Sequence, residues 1–325
     1  MKLNIFRPLL PAAAIALASC STNPTTGRSQ FNAISRDQEI QMGTEATPQI
    51  TKQYGGPVKN AAVQQYVSEL GHKLAAQTEK DNPKLPWEFT LLDSNVINAF
   101  SLPGGKVFFS RGLAVKLQNE AQMAGVLGHE IGHVTARHIN DQMTHEMEVS
   151  LAAGLAQSLL EGHTGGAAGA AAGQLAPQVI QLGGQSVLLR FSRTQENEAD
   201  SLGMRYMTKA GYNPKAMLGV MEVLQQAMQG NTTPEFFSTH PYPESRIKSI
   251  QAALSKEYAK VVNDPKYVLN EPQYQQRLLK PLTGRTQAFP KHDAALVQAG
   301  LGDPALWCAH CRDEARRAAE AHGGS

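Results

Sequence analysis

No excess of one charge runs through this sequence. Its 325 residues hold 30 Lys+Arg against 28 Asp+Glu, and the two signs become equal once Lys2 and Arg7 of an N-terminal leader are set aside. A nucleic-acid binder normally carries a basic stripe to neutralise phosphates, so that class is excluded. No uncharged apolar run reaches the ~18 residues that cross a bilayer, and no repeat of the 20–50-residue kind points to a solenoid. Cysteine is scarce, at three residues. Cys308 and Cys311 form a CxxC near the C-terminus, which in an oxidising compartment reads as a short-range disulfide or an idle pair. A redox or metal role would draw on the lowered thiol pKa of that spacing and on His310, but no second CxxC or nearby βαβ pattern supports it. The length suits one large domain or two small ones and is ample for a buried core.

The N-terminus reads as an address. Lys2 and Arg7 form a positive start, and Leu9 to Leu17 is an apolar stretch of leader length, too short to span a membrane as a mature helix. It ends in Leu17-Ala18-Ser19-Cys20, which resembles the lipobox of bacterial lipoproteins, where cleavage precedes a lipidated Cys. An ordinary cleaved leader with an incidental Cys is the alternative. On the lipoprotein reading, residues 1–19 are the signal peptide, and Cys20 with the polar run to 34 is a lipid anchor plus flexible tether. Several acyl chains, which the resemblance implies, hold firmly where one binds marginally. Ser21 after the Cys is the pattern of outer-membrane sorting, so the expected location is the outer membrane, facing the periplasm of a Gram-negative bacterium.

Ser35-Arg36-Asp37-Gln38 predicts a capping box that opens a helix. Gly55-Gly56-Pro57 breaks the chain, and Val63, Val67, Leu70 and Leu74 then recur at helical spacing. Trp87 to Leu92 and Val107 to Ser110 read as strands, with Pro103-Gly104-Gly105 as a turn between them. A second capping box, Asn119-Glu120-Ala121-Gln122, starts a helix through Ala124, Leu127, Ile131 and Val134. From 150 to 190 the chain is Gly/Ala-rich and reads as a loosely held helical insertion or lid. Further helices are expected from Gln195 to Ala210, from Asn213-Pro214 to Gly230 and from Glu244 to Tyr258. Periodicity fades after Pro265, so 259–325 is expected to be a poorly ordered extension.

His129-Glu130-Ile131-Gly132-His133 is an HExxH motif inside a predicted helix. Residues four apart differ by roughly 40° in direction, so both imidazoles share a face and can bind one Zn²⁺. Glu130, displaced by roughly 100°, is poorly placed as a ligand but can reach a water beside the metal, whose pKa the metal lowers toward ~7. A third ligand is required. Ala136 and Ile139 stand where a metzincin extension would need Gly and His. His138 would lie roughly 140° round the helix from His133. In Glu196-Asn197-Glu198-Ala199-Asp200, Glu196 supplies a His₂Glu site, and Asp200 would hold a ligand histidine's free N–H. Ala199 and Gly203, on the same face, are small enough for close helix approach. Alone, such an acidic helix start would read as dipole compensation. A closed structural zinc site would instead be Cys-rich.

Together with Asn98-Ala99-Phe100-Ser101-Leu102-Pro103-Gly104-Gly105, the run His129 to His138, and Ser238-Thr239-His240-Pro241 with Arg246, these motifs resemble the M48 family of zinc metallopeptidases. The likeness is to its periplasmic lipoprotein and Oma1-like subgroup, over Asn23 to about Leu254. The resemblance implies a mostly helical α+β zincin-like (gluzincin-type) domain over 35–258 with a small antiparallel sheet. It implies one Zn²⁺ per chain on His129, His133 and Glu196, with Glu130 as general base. Asn98, Ala99 and Phe100 would lie near an edge strand that takes substrate backbone by strand addition. His240 would donate to an oxyanion or fill the open coordination position and keep the enzyme latent; otherwise it is a turn histidine. Arg246 orients His240, binds carbonyl oxygens or is an ion-pair partner. Residues 256–325 are too short and unpatterned for a helical-repeat tail.

The function expected is a zinc endopeptidase acting on unfolded or misassembled envelope proteins, held to the membrane through Cys20. The rival is a lipoprotein chaperone or outer-membrane assembly factor that binds clients in the same cleft without cutting. A pure binder, however, has no need of Glu130.

Overall fold

Polar residues near the N-terminus find their partners inside the protein rather than in water. The computed structural model describes residues 20–160, 190–228, 234–240 and 244–283. The expected leader, the 161–189 part of the Gly/Ala-rich segment, Pro241 and the Cys308/Cys311 pair lie outside the described residues. Strands β1 (Cys20–Thr22) and β2 (Ser29–Phe31) pair antiparallel. The Asn23 side chain accepts from the Thr25 N–H and donates to Gln30 and to the Thr135 carbonyl. Asn23, Thr25 and Gln30 are buried, so the stretch expected as a flexible tether is a docked hairpin.

Helix α1 (Arg36–Gln53) opens on the predicted Ser35/Gln38 capping box. Helix α2 (Ala61–Ala75) is capped by Asn60 and buries Val63, Val67, Leu70 and Leu74. Strands β3 (Glu88–Leu92), β4 (Ala99–Leu102) and β5 (Lys106–Ser110) form one sheet in the order β3-β5-β4. This sheet is mixed, which corrects the antiparallel expectation: β4 and β5 are antiparallel, but β3 and β5 are parallel. The connection 93–98 carries the chain past one strand position before β4 returns. The tight turn at Gly104 and Gly105, with φ of 77° and 96°, then sends β5 back into the gap alongside β3. That leaves β4 at an edge.

A short turn, α3 (Arg111–Ala114), leads to α4 (Glu120–Ala136), which is buried along its whole length. Asn119 caps α4 by accepting from the Gln122 N–H, at 3.0 Å. The Gln122 side chain takes the Gln118 N–H instead of closing the expected box. Around α4 lie α5 (His138–Leu160), α6 (Arg193–Lys209), α7 (Ala216–Met228), α8 (Phe236–Thr239) and α9 (Glu244–Lys256). Helices α4 and α6 cross on Gly128, Gly132, Ala199 and Gly203, the last two as predicted. A Cβ on Gly203 would stand 2.8 Å from the backbone nitrogen of His129, so only hydrogen fits. Beyond the boundary expected at 258, Glu271–Tyr274, Gln275–Leu279 and Lys280–Thr283 run on as a last helical stretch. Its Tyr274 and Leu278 are fully buried, and Tyr274 donates to the Ala114 carbonyl. No helix among the described residues is long and apolar enough to cross a membrane.

Candidate metal centre

Helix α4 presents His129 and His133 a turn apart, and their Nε2 atoms approach to 3.0 Å. Helix α6 brings Glu196 against them, with Oε1 3.3 Å from His133 Nε2 and Oε2 3.7 Å from His129 Nε2. From the end of α8, His240 adds Nδ1 at 2.8 Å from Glu196 Oε1 and 3.3 Å from His129 Nε2. One ligand atom from each of the four residues lies within 4.8 Å of the others, and all four residues are buried. Tetrahedral ligands bound at ~2.0–2.1 Å stand roughly 3.3 Å apart, so these separations fit a single small cation.

Charge gives the same answer. With His240 neutral, as a ligand ring would be, Glu130, Glu196 and Asp200 are buried against one buried guanidinium, Arg246, which leaves two negative charges for a divalent cation to balance. Burial opposes ionisation of Glu196, yet His240 and Arg246 beside it hold its carboxyl well below the usual range. Burial pushes His133 well below its ordinary pKa and so keeps the imidazole neutral, as a metal ligand must be. Glu130 Oε1 has no hydrogen-bond partner and stands 3.5 Å from His240 Nε2. Its Oε2 accepts from Ser101 on β4, at 3.1 Å.

The supports of the two helix histidines differ. His129 Nδ1 lies 2.8 Å from Asp200 Oδ1, the contact predicted for that carboxylate. Arg246 from α9 grips Asp200 with two bonds of 2.6 and 2.7 Å and reaches Glu196 Oε2 at 2.7 Å. Of the parts foreseen for Arg246, its contacts are those of an ion-pair partner of the two carboxylates. Behind His133, Nδ1 lies 2.9 Å from Nδ1 of His138. The helical argument that excluded His138 as a ligand does not apply, because α4 stops at Ala136. Arg137, in the left-handed region at φ 60°, turns the chain and swings His138 back behind the motif. Phe191 stacks on the His133 ring, at 3.8 Å between centroids.

Asn98 precedes β4 and donates to Glu235 at 3.1 Å, while the Phe236 N–H bonds the Ile97 carbonyl. These contacts tie the His240 segment to the start of the edge strand. Ala99 and Phe100 are buried, and the Phe100 ring stacks on Phe108. Sequence reasoning did not assign Ser101, His138, Glu198, Arg28 or Phe191. Ser101, His138 and Glu198 lie inside quoted motifs, but nothing in their spacing marks the contact each makes.

Residues 61–254 match the family described as Peptidase family M48. The chain is 32% identical over 254 residues to the beta-barrel assembly-enhancing protease of Escherichia coli (strain K12), covering 76% of this chain and 51% of that protein. It is 31% identical over 248 residues to the mitochondrial metalloendopeptidase OMA1 of Schizosaccharomyces pombe, covering 73% and 67%. It thus spans about half the length of the bacterial relative.

Proposed function

Because the chain belongs to peptidase family M48, we propose that it is a zinc-dependent endopeptidase that cuts unfolded or misassembled polypeptides of the bacterial envelope. The observation that carries this reading is the convergence of His129, His133 and Glu196 from two helices, with Glu130 buried alongside. One Zn²⁺ per chain would be held by those three side chains. A bound zinc ion supplies Lewis acidity and lowers the pKa of a water at its open position.

Glu130 is the general base. Ser101 fixes one of its oxygens, and the other is left to take a proton from the attacking water and pass it to the leaving amine. Asp200, held by Arg246, orients His129. His240 Nδ1 lies 2.8 Å from Glu196 Oε1 and 3.3 Å from His129 Nε2, so this ring would fill the fourth ligand position and keep the site closed. An open site needs that ring to move, after which its N–H can serve the oxyanion. The backbone of Asn98, Ala99 and Phe100 at the β4 edge receives the substrate as an added strand. Cys20 carries the lipid that holds the protein at the outer membrane, facing the periplasm. The two curated relatives above are named as a beta-barrel assembly-enhancing protease and a mitochondrial metalloendopeptidase, which supports a polypeptide substrate.

The test is proteolysis of a denatured outer-membrane protein by wild type and Glu130→Gln, with zinc measured in both. Cleavage should fall by roughly 10²–10⁴-fold with the metal retained. Full cleavage by the variant would sink the assignment of Glu130. A wild type that binds the client and never cuts it would favour the chaperone reading. Replacing Cys20 by Ala should release the protein from the membrane fraction.

A further inference from the structure

Behind His133 a line of hydrogen bonds runs out to the surface. His133 Nδ1 meets His138 Nδ1 at 2.9 Å, and His138 Nε2 meets Glu198 Oε2 at 2.9 Å. Glu198 receives two bonds from Arg28, Nε at 3.2 Å and Nη2 at 2.7 Å. Arg28 belongs to the turn between β1 and β2. The same hairpin is fastened to the C-terminal end of α4 at two more points. Asn23 donates to the Thr135 carbonyl at 3.1 Å and Gln30 to the Ala136 carbonyl at 3.0 Å. Both carbonyls belong to the last turn, where no later helical N–H reaches them.

The proton positions in this line follow from the outset. A neutral imidazole that offers its Nε2 lone pair to a metal carries its proton on Nδ1. That N–H needs an acceptor, which is His138 Nδ1. His138 must then carry its own proton on Nε2, where Glu198 accepts it, and Arg28 holds Glu198 in place. His129 is backed by the same kind of terminus, a carboxylate gripped by an arginine, in Asp200 and Arg246. The two differ in depth. Asp200 and Arg246 are buried, whereas the Arg28 side chain is 40% exposed and that of Glu198 23%.

We propose that the N-terminal hairpin is a working part of the metal centre, with Arg28, Glu198 and His138 as positioning residues that fix the His133 tautomer and set how tightly the ion is held. This rests on the reading of His129, His133 and Glu196 as metal ligands. The hairpin begins at Cys20, so the proposed membrane anchor and the metal ligand are ends of one connected structure.

Zinc affinity tests it, measured on the purified full chain in detergent by competition with a chromophoric chelator, alongside the unfolding temperature of the metal-free protein. Removing a group that orients a metal ligand typically costs ~10–100-fold in affinity. His138→Ala should fall in that range, and Glu198→Gln and Arg28→Ala should each lose several-fold. His138→Asn, which restores an acceptor near the Nδ1 position, should recover part of the loss. Arg28→Ala should lower the metal-free unfolding temperature by no more than about 2–4 °C, because its ion pair with Glu198 is partly exposed. The proposal is overturned if Arg28→Ala and Glu198→Gln bind zinc within two-fold of wild type. It is equally overturned if Arg28→Ala lowers the metal-free unfolding temperature by more than about 4 °C, since the hairpin would then be only a brace. A wild-type chain that binds no zinc would instead remove the metal reading on which the proposal stands.

Discussion

Arg246 is buried with its guanidinium shared between Asp200 and Glu196, so three charges depend on one side chain. The two carboxylates stay ionised against the cost of burial because that cation is beside them. Arg246→Met should therefore destabilise the metal-free protein by about 3–5 kcal/mol, the usual result of stranding buried charge. Urea titration of chelator-treated protein measures it, and a loss under about 1 kcal/mol would contradict the pairing described. Ser101 poses a subtler case. Its hydroxyl donates to Glu130 Oε2, a hydrogen bond to a charged group of the kind that contributes about 1.5–3 kcal/mol. Ser101→Ala should lower kcat by roughly ten- to a hundred-fold, with zinc content and KM near wild type. An equal rise in KM would mean that the serine serves substrate binding rather than the base.

Helices α4 and α6 hold the ligand set only because they cross at near-backbone contact. A Cβ at Gly203 would meet the backbone nitrogen of His129 at 2.8 Å, and one at Gly128 would meet Gly203 Cα at 3.1 Å. Gly203→Ala must push the helices apart at the point where Glu196 has to reach both imidazoles. The expected cost is about 1–3 kcal/mol of stability, together with a marked loss of zinc affinity. Chelator competition and thermal unfolding on the same sample would check both; unchanged affinity would mean that α6 can shift without moving Glu196. This crossing was legible in the sequence, because Ala199 and Gly203 share a face with Glu196 and Asp200. Local chemistry also placed α1 through its Ser35 cap, α4 through Asn119 and the β4–β5 turn through Gly104 and Gly105. His138 was harder. Helical geometry assigns it a direction only while the helix lasts, and the break is made by Arg137, a residue that seldom takes a positive φ. The parallel pairing of β3 with β5 was hidden for a similar reason. Each strand reads correctly alone, but their order depends on how the connection 93–98 crosses the sheet.

Contacts far apart in sequence decide what the whole molecule adds. Asn23 and Thr135, 112 residues apart, are joined at the end of α4, and Tyr274 reaches Ala114 across 160. Nothing periodic marks such partners, which is why 20–34 read as a tether and the chain past Pro265 as unpatterned. Tyr274, Leu278 and Leu282 do recur at helical spacing and are buried, but over only three turns. The deep placement of the histidines has a consequence for the whole fold. Burial holds His133 well below its ordinary value of 6.5 and His138 below it too, in the latter against the pull of Glu198. As pH falls through 6.5, the unfolded chain takes up both protons and the folded metal-free protein does not, so stability falls. His240 works the other way. Burial opposes its charge, but Glu196 and Glu130 raise its pKa, so its contribution is complete below 6.5 and lost as pH rises through its folded value. Below 6.5 His240 is protonated in both states and adds no slope, so His133 and His138 leave two protons favouring the unfolded state, a slope approaching about 2.7 kcal/mol per pH unit. Below the ordinary carboxylate values Glu196, Glu198 and Asp200, all held low in the folded protein, steepen the decline. Urea unfolding of chelator-treated protein at pH 7, 6 and 5 should therefore show stability dropping at each step. A profile flat or rising across that range would mean that His133 and His138 take up protons in the folded protein, and that the interior behind the HExxH helix is wetter than its packing shows.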